Sequence, residues 1–155
     1  MEALRDRVKN ILLSLLQDPI VSLLLERSSI TKQQFSTLIV DIISDNLTGE
    51  DLTYEDKASC MLKPISRGAY NRILIQARRN ITKSFFTILL LSYVGILEDS
   101  QISKLIELGE KLRSIIEAYR REGIDQSEIG KAIARLAELI ESYVDHRSYA
   151  RRRVM

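Results

Sequence analysis

One cysteine, one histidine, two prolines, six glycines and no tryptophan leave this 155-residue chain short of several kinds of chemistry. A lone thiol, Cys60, forms no internal disulfide and is too few for a thiolate metal cluster, which fits a reducing compartment. With His146 as the only imidazole, neither the common histidine metal sites nor a Ser/His/Asp or Cys/His nucleophile has its parts. A glycine-rich phosphate loop is also missing. The acids Glu50, Asp51, Glu55 and Asp56 cluster in a loop and first turn, where capping and solvation account for them. No long apolar segment suits a membrane. The run from Phe85 to Leu97 falls short of the about 20 residues a span needs, and Ile11 to Leu25 is broken by Gln17, Asp18 and Pro19. Charges alternate early at Glu2, Arg5, Asp6, Arg7 and Lys9, unlike a secretory leader. The expectation is a cytoplasmic protein that is not an enzyme and carries no cofactor and no metal.

What is present favours helices. Apolar residues at 45% and charged residues at 28% are the balance of a folded chain, not a disordered one. Leu, Ile, Ala, Glu, Arg and Lys dominate, all compatible with helix interiors. The spacing predicts a first helix over about 3–17 and, after Asp18-Pro19, a short second one to about Glu26. Thr31 with Gln34 reads as a capping box ahead of Phe35, Leu38, Ile39, Ile42 and Ile43, with Gly49 beyond the end. Thr53 with Asp56 opens a short helix that stops before Lys63-Pro64. Ser66 caps a long helix to about Val94, with Gly95 as the stop. Helices over about 100–121 and 126–147 follow, joined by Glu122-Gly123-Ile124-Asp125, with Asp125 and Glu128 as a cap. Their seams, Leu105, Leu108, Leu112, Ile115 and Tyr119 against Ile129, Ile133, Leu136, Ile140 and Tyr143, read as an antiparallel hairpin. The expected fold is an all-α, single-domain helical bundle over 1–147. It has a long central helix and a C-terminal antiparallel hairpin over 100–147, followed by a basic tail at 148–155.

Negative charge is missing from one region. From Lys57 to Leu97 there are seven cations (Lys57, Lys63, Arg67, Arg72, Arg78, Arg79 and Lys83) and no Asp or Glu. From His146 to the end there are four more, Arg147, Arg151, Arg152 and Arg153, again with no acid. Such a block in an otherwise acidic chain points to a polyanion-facing surface, or else to pairing with the acids elsewhere in the fold. On the helix after Ser66, Tyr70, Ala77, Ile81 and Ile88 share one face, flanked by Ile73, Leu74 and Phe85. Arg72, Gln76, Arg79 and Lys83, at i, i+4, i+7 and i+11, line the other, with Asn71 and Arg78 on its flank. Arg67 and Arg72 lie near the helix N-terminus, where the macrodipole disfavours cations and favours a bound anion. Beyond Lys83 the polar side closes, and the back half is expected to be buried on all sides.

The segment Leu52-Thr53-Tyr54-Glu55, Ala58, Ile65-Ser66-Arg67-Gly68, Leu74 and Ala77-Arg78 resembles a helix-turn-helix of the sigma-factor region-4 type, over residues 52–78. The register agrees from Ser66 onward. Upstream, Ala58 to Ser66 is about two residues longer, and Lys63-Pro64 replaces the usual turn glycine. The resemblance implies a DNA-binding transcriptional regulator. Arg67, Asn71 and Arg72 would lie nearest base edges, and Arg78, Arg79 and Lys83 nearest phosphates, with Gln76 on the same stripe. Duplex DNA is then the expected partner, with a homodimer formed through the C-terminal hairpin. The alternative is a non-enzymatic scaffold or adaptor subunit of an archaeal-type replication or transcription assembly, its basic face meeting an acidic protein. Membrane-surface binding is the weakest fit, because the apolar side of the helix is needed for the core.

Overall fold

The computed structural model describes residues 1–123 and 126–144. The basic tail, His146 and the cap at Asp125 therefore lie outside the described residues. Among the described residues seven helices follow in order: α1 (Glu2–Gln17), α2 (Pro19–Arg27), α3 (Lys32–Thr48), α4 (Tyr54–Ser59), α5 (Arg67–Tyr93), α6 (Asp99–Glu122) and α7 (Gln126–Val144). No strand occurs among the described residues, and the fold is an all-α bundle. The helices group into two compact units, Met1–Phe85 and a second beginning at Phe86.

Local chemistry sets most boundaries. Asp18 does more than interrupt: its carboxylate accepts from the amides of Ile20 and Val21, and Pro19 takes the first helical position of α2. At α3 the capping box is reciprocal. Thr31 Oγ1 accepts from the Gln34 amide at 3.2 Å, and Gln34 Oε1 accepts from the Thr31 amide at 3.1 Å. Gly49, at φ 70°, ends that helix in the left-handed region. Thr53 caps α4 through the Asp56 amide, and Ser66 caps α5 through the Ala69 amide. Gly95, at φ 76°, closes α5. Its amide bonds to the Ser92 carbonyl while the Ile96 amide reaches back to Leu91, a Schellman pair. The start of α6 has a cap that the chain does not advertise: the Glu98 amide donates to the buried Gln101 side chain at 2.9 Å.

The core of the first unit joins Val8 and Leu12 of α1, Val40 of α3, Ala58, Cys60 and Met61 around α4, and Tyr70 and Leu74 of α5. The deepest line of α3 differs from the expected apolar one. Ser36, Thr37, Val40 and Ser44 are buried, whereas Ile42 is exposed. Each of the three hydroxyls donates to a carbonyl four residues earlier, so these small polar residues face inward with their hydrogen bonds satisfied. Small side chains there leave room for the Tyr70 ring, whose hydroxyl donates to the Thr37 carbonyl at 3.3 Å. The Tyr54 ring lies 5.9 Å from that of Tyr70. In the second unit Leu112 of α6 and Ile129 and Leu136 of α7 are buried, three of the expected seam positions, whereas Leu105 and Ile115 of the same seam are exposed.

Candidate nucleic-acid interface

The first half of α5 is anchored on one side and open on the other. Tyr70, Leu74 and Ala77 are buried in the core. Asn80, one turn on, is held by polar contacts: its Nδ2 donates to the Ser29 carbonyl and to Gln34 Oε1, both at 3.1 Å. The carboxamide that completes the α3 cap thus also holds α5. Gln76 in turn donates to Asn80 Oδ1 at 3.1 Å. Ser84 adds a hydroxyl contact to Ser29 at 3.3 Å.

Away from the buried Tyr70, Leu74 and Ala77, Arg72, Gln76, Arg79 and Lys83 are exposed along the helix; Arg67 is exposed in its first turn, and Asn71 is half-buried. Arg67, Arg72 and Arg79 pair with no carboxylate among the described residues. Arg67 also borders a shallow depression with Leu52, Thr53, Tyr54 and Glu55. The segment between Arg67 and Lys83 holds five cations and no acid, so no intrahelical partner is available to mask them.

The other two cations of interest take a different course. Lys57 is not part of the surface. It is buried, and its Nζ donates to Asp41 Oδ1 at 2.8 Å and to Asp45 Oδ2 at 2.6 Å. Arg78 is partly exposed but reaches Asp41 Oδ2 at 2.9 Å. For these two, pairing with acids in the fold wins. Burial disfavours the charge on Lys57, but the hydrogen bonds it donates to Asp41 and Asp45 outweigh that and raise the ammonium above its ordinary value. Burial likewise opposes ionisation of Asp45, yet bonds from Lys57 and from the Leu52 amide pull its carboxyl below the ordinary value. Asp41 and Asp45 organise this cluster, and sequence reasoning missed them. Their signal is an i, i+4 pair of acids in a helix whose only cation is Lys32.

The back half of α5 departs from expectation. Phe85, Phe86, Ile88, Leu89, Leu90, Tyr93 and Val94 are exposed rather than buried. The helix is anchored by its N-terminal half and the middle turn at Asn80, not by its C-terminal half.

Chemistry elsewhere is sparse. Cys60 is fully buried, and desolvation pushes its thiol up, away from the reactive thiolate. No cluster of three or more His, Cys, Asp or Glu able to hold a metal occurs among the described residues. No single described helix is long and apolar enough to cross a membrane. Only α1 and α2 taken together, bent by 74°, pass that test of length and composition. Comparison of the chain with protein-family models, curated proteins and solved structures finds no match.

Proposed function

We propose that the chain is a nucleic-acid-binding protein, a cytoplasmic, non-enzymatic regulator of transcription that grips duplex DNA with the first half of α5. The observation that carries this reading is the set of exposed arginines, Arg67, Arg72 and Arg79, without carboxylate partners among the described residues, on a helix whose Tyr70, Leu74 and Ala77 are locked in the core. Guanidinium groups on a rigid support lose little freedom on meeting phosphates or guanine edges. The pattern over residues 52–78 supports it further. A short α4 packs through Ala58 and Tyr54 against Tyr70 at the head of α5, with a turn over 60–66 between them. Gln76 and Lys83 extend the stripe. Arg78, tied to Asp41, contributes less than its neighbours.

Fluorescence anisotropy with labelled duplex and single-stranded DNA tests the reading. Three phosphate contacts give a log–log salt slope of about −3, and Arg72→Ala with Arg79→Ala reduces it by about 2. Absence of binding to either DNA at low salt sinks the proposal. The second reading, an adaptor whose acidic protein partner meets the same stripe, draws on the exposed apolar residues that follow it on α5. It requires that a carboxylate-rich protein compete with duplex DNA for the stripe and bind more tightly.

A further inference from the structure

Seven of the fifteen large hydrophobic residues exposed among the described residues lie between Phe85 and Val94. At 100° per residue they are not scattered. Phe85, Leu89 and Tyr93 form one ridge of i, i+4 spacing, and Phe86, Leu90 and Val94 form the ridge beside it. Around the rest of these turns Leu91 and Ser92 are half-buried, while Thr87 and Ile88 are exposed. The stretch therefore presents two apolar ridges with a groove between them to solvent.

We infer that this face is a homodimer interface, covered by the same face of a second copy of the chain. The inference stands on the exposure of α5 and is independent of nucleic-acid binding. Three observations choose the occupant. The first is area. Phe85, Phe86 and Tyr93 are 68%, 66% and 88% exposed, and aromatic side chains offer about 150–250 Å² each, so these three alone present on the order of 450 Å². With Leu89 and Leu90, at 63% and 60%, the face approaches the roughly 800 Å² per partner of a stable complex and exceeds what a monomer ordinarily leaves uncovered. The second is self-complementarity. Ridges at i±4 interdigitate with the i±4 grooves of an identical helix, and a two-fold axis applies the same patch twice. The third is charge. Ser84 to Leu97 contains no ionisable side chain except the Tyr93 phenol, so self-pairing brings no like charges together. A lipid surface is a poorer match, because an interfacial helix of this kind needs cations beside its apolar face to meet anionic headgroups, and these turns have none. The α6 and α7 seam, expected from the sequence to carry dimerisation, is buried within one chain at Leu112, Ile129 and Leu136, and the residues it leaves exposed, Leu105, Ile106 and Ile115, include no aromatic side chain.

Sedimentation equilibrium on the full chain over micromolar concentrations tests the inference. Wild type is expected to sediment as a dimer, at twice the 17.8 kDa of one chain. Leu90→Glu, or the milder Leu90→Ser, changes a residue already exposed, so helicity by circular dichroism is expected to persist. The charged variant should raise the dimer dissociation constant about a hundredfold or more. Ile106→Glu, at an exposed position of α6, should leave the dimer intact. A wild-type monomer at all concentrations, a monomer that binds phosphatidylserine vesicles instead, or a dimer that survives both Leu90→Glu and Phe86→Glu each overturns the inference. So does a dimer broken by Ile106→Glu and not by Leu90→Glu.

Discussion

Lys57 shows how a single side chain can change category between sequence and fold. In the chain it opens a run of cations. In the structure it lies under α3 between two aspartates, with 6% of its side chain accessible. A buried ion pair adds little net stability over an apolar packing of the same shape, but removing one partner strands the others. Lys57→Met is therefore expected to cost about 3 kcal/mol, because Asp45 loses its cation and Asp41 keeps only Arg78. The urea midpoint should fall with an unchanged m-value. The pH dependence has a definite sign on each flank. The carboxyl of Asp45 is held below its ordinary 3.8, so its contribution is present above that value and is lost as pH falls beneath it. The ammonium of Lys57 is held above its ordinary 10.5, so its contribution persists up to that value and is lost as pH rises further. The gap in stability between wild type and Lys57→Met should narrow toward both extremes. A gap that stays constant from strongly acidic to strongly alkaline buffer would show that the cluster is not ionised as described.

Helix caps were readable because they are local: Thr31 with Gln34, Thr53, Ser66 and the glycines at 49 and 95 each act within five residues. Thr31→Ala should cost about 1 kcal/mol in thermal or urea denaturation. Gln34→Ala removes a bond to the Thr31 amide and also one to Asn80. With Asn80 holding the middle of α5, Gln34→Ala should cost at least as much as Thr31→Ala in the same denaturation. The basic stripe was equally readable, since residue spacing alone sets azimuth on a helix, and Arg72, Gln76, Arg79 and Lys83 are exposed as the spacing required. What spacing does not carry is which neighbouring element covers a face. Asp41 is 37 residues from Arg78 and 16 from Lys57, so only the packing of α3 could reveal that two cations were already partnered. The same gap explains Phe86 and Leu90. Apolar residues at former arginine azimuths imply that something covers them, and periodicity does not say whether the cover is the same chain. The buried line of α3 illustrates the converse: Ser36, Thr37 and Ser44 pack inward because each hydroxyl returns to its own helix backbone.

At the scale of the whole molecule, the two proposed contact surfaces fall in sequence on either side of one boundary. The residues from Arg67 to Lys83 belong to the first unit, whose core lies wholly within its own helices, and all but Phe85 of the apolar ridges belong to the second. The two proposed activities are therefore expected to be separable by mutation. The proposed dimer would carry two basic stripes, and a duplex able to meet both would be bound with an avidity that neither stripe has alone, commonly a gain of about a hundredfold or more. Leu90→Glu leaves every residue of the stripe in place and removes only the second copy. It should lower affinity for a long duplex by about that factor while barely changing affinity for one short enough to meet a single stripe. The pair Arg72→Ala and Arg79→Ala should weaken binding to both lengths, with a shallower salt slope on each, and should leave the sedimenting mass at that of the dimer. Anisotropy titrations of the three proteins against the two duplexes, with sedimentation of each in the same buffer, read the whole pattern. Equal loss on short and long duplex for Leu90→Glu would mean that the apolar face shapes the stripe itself rather than doubling it.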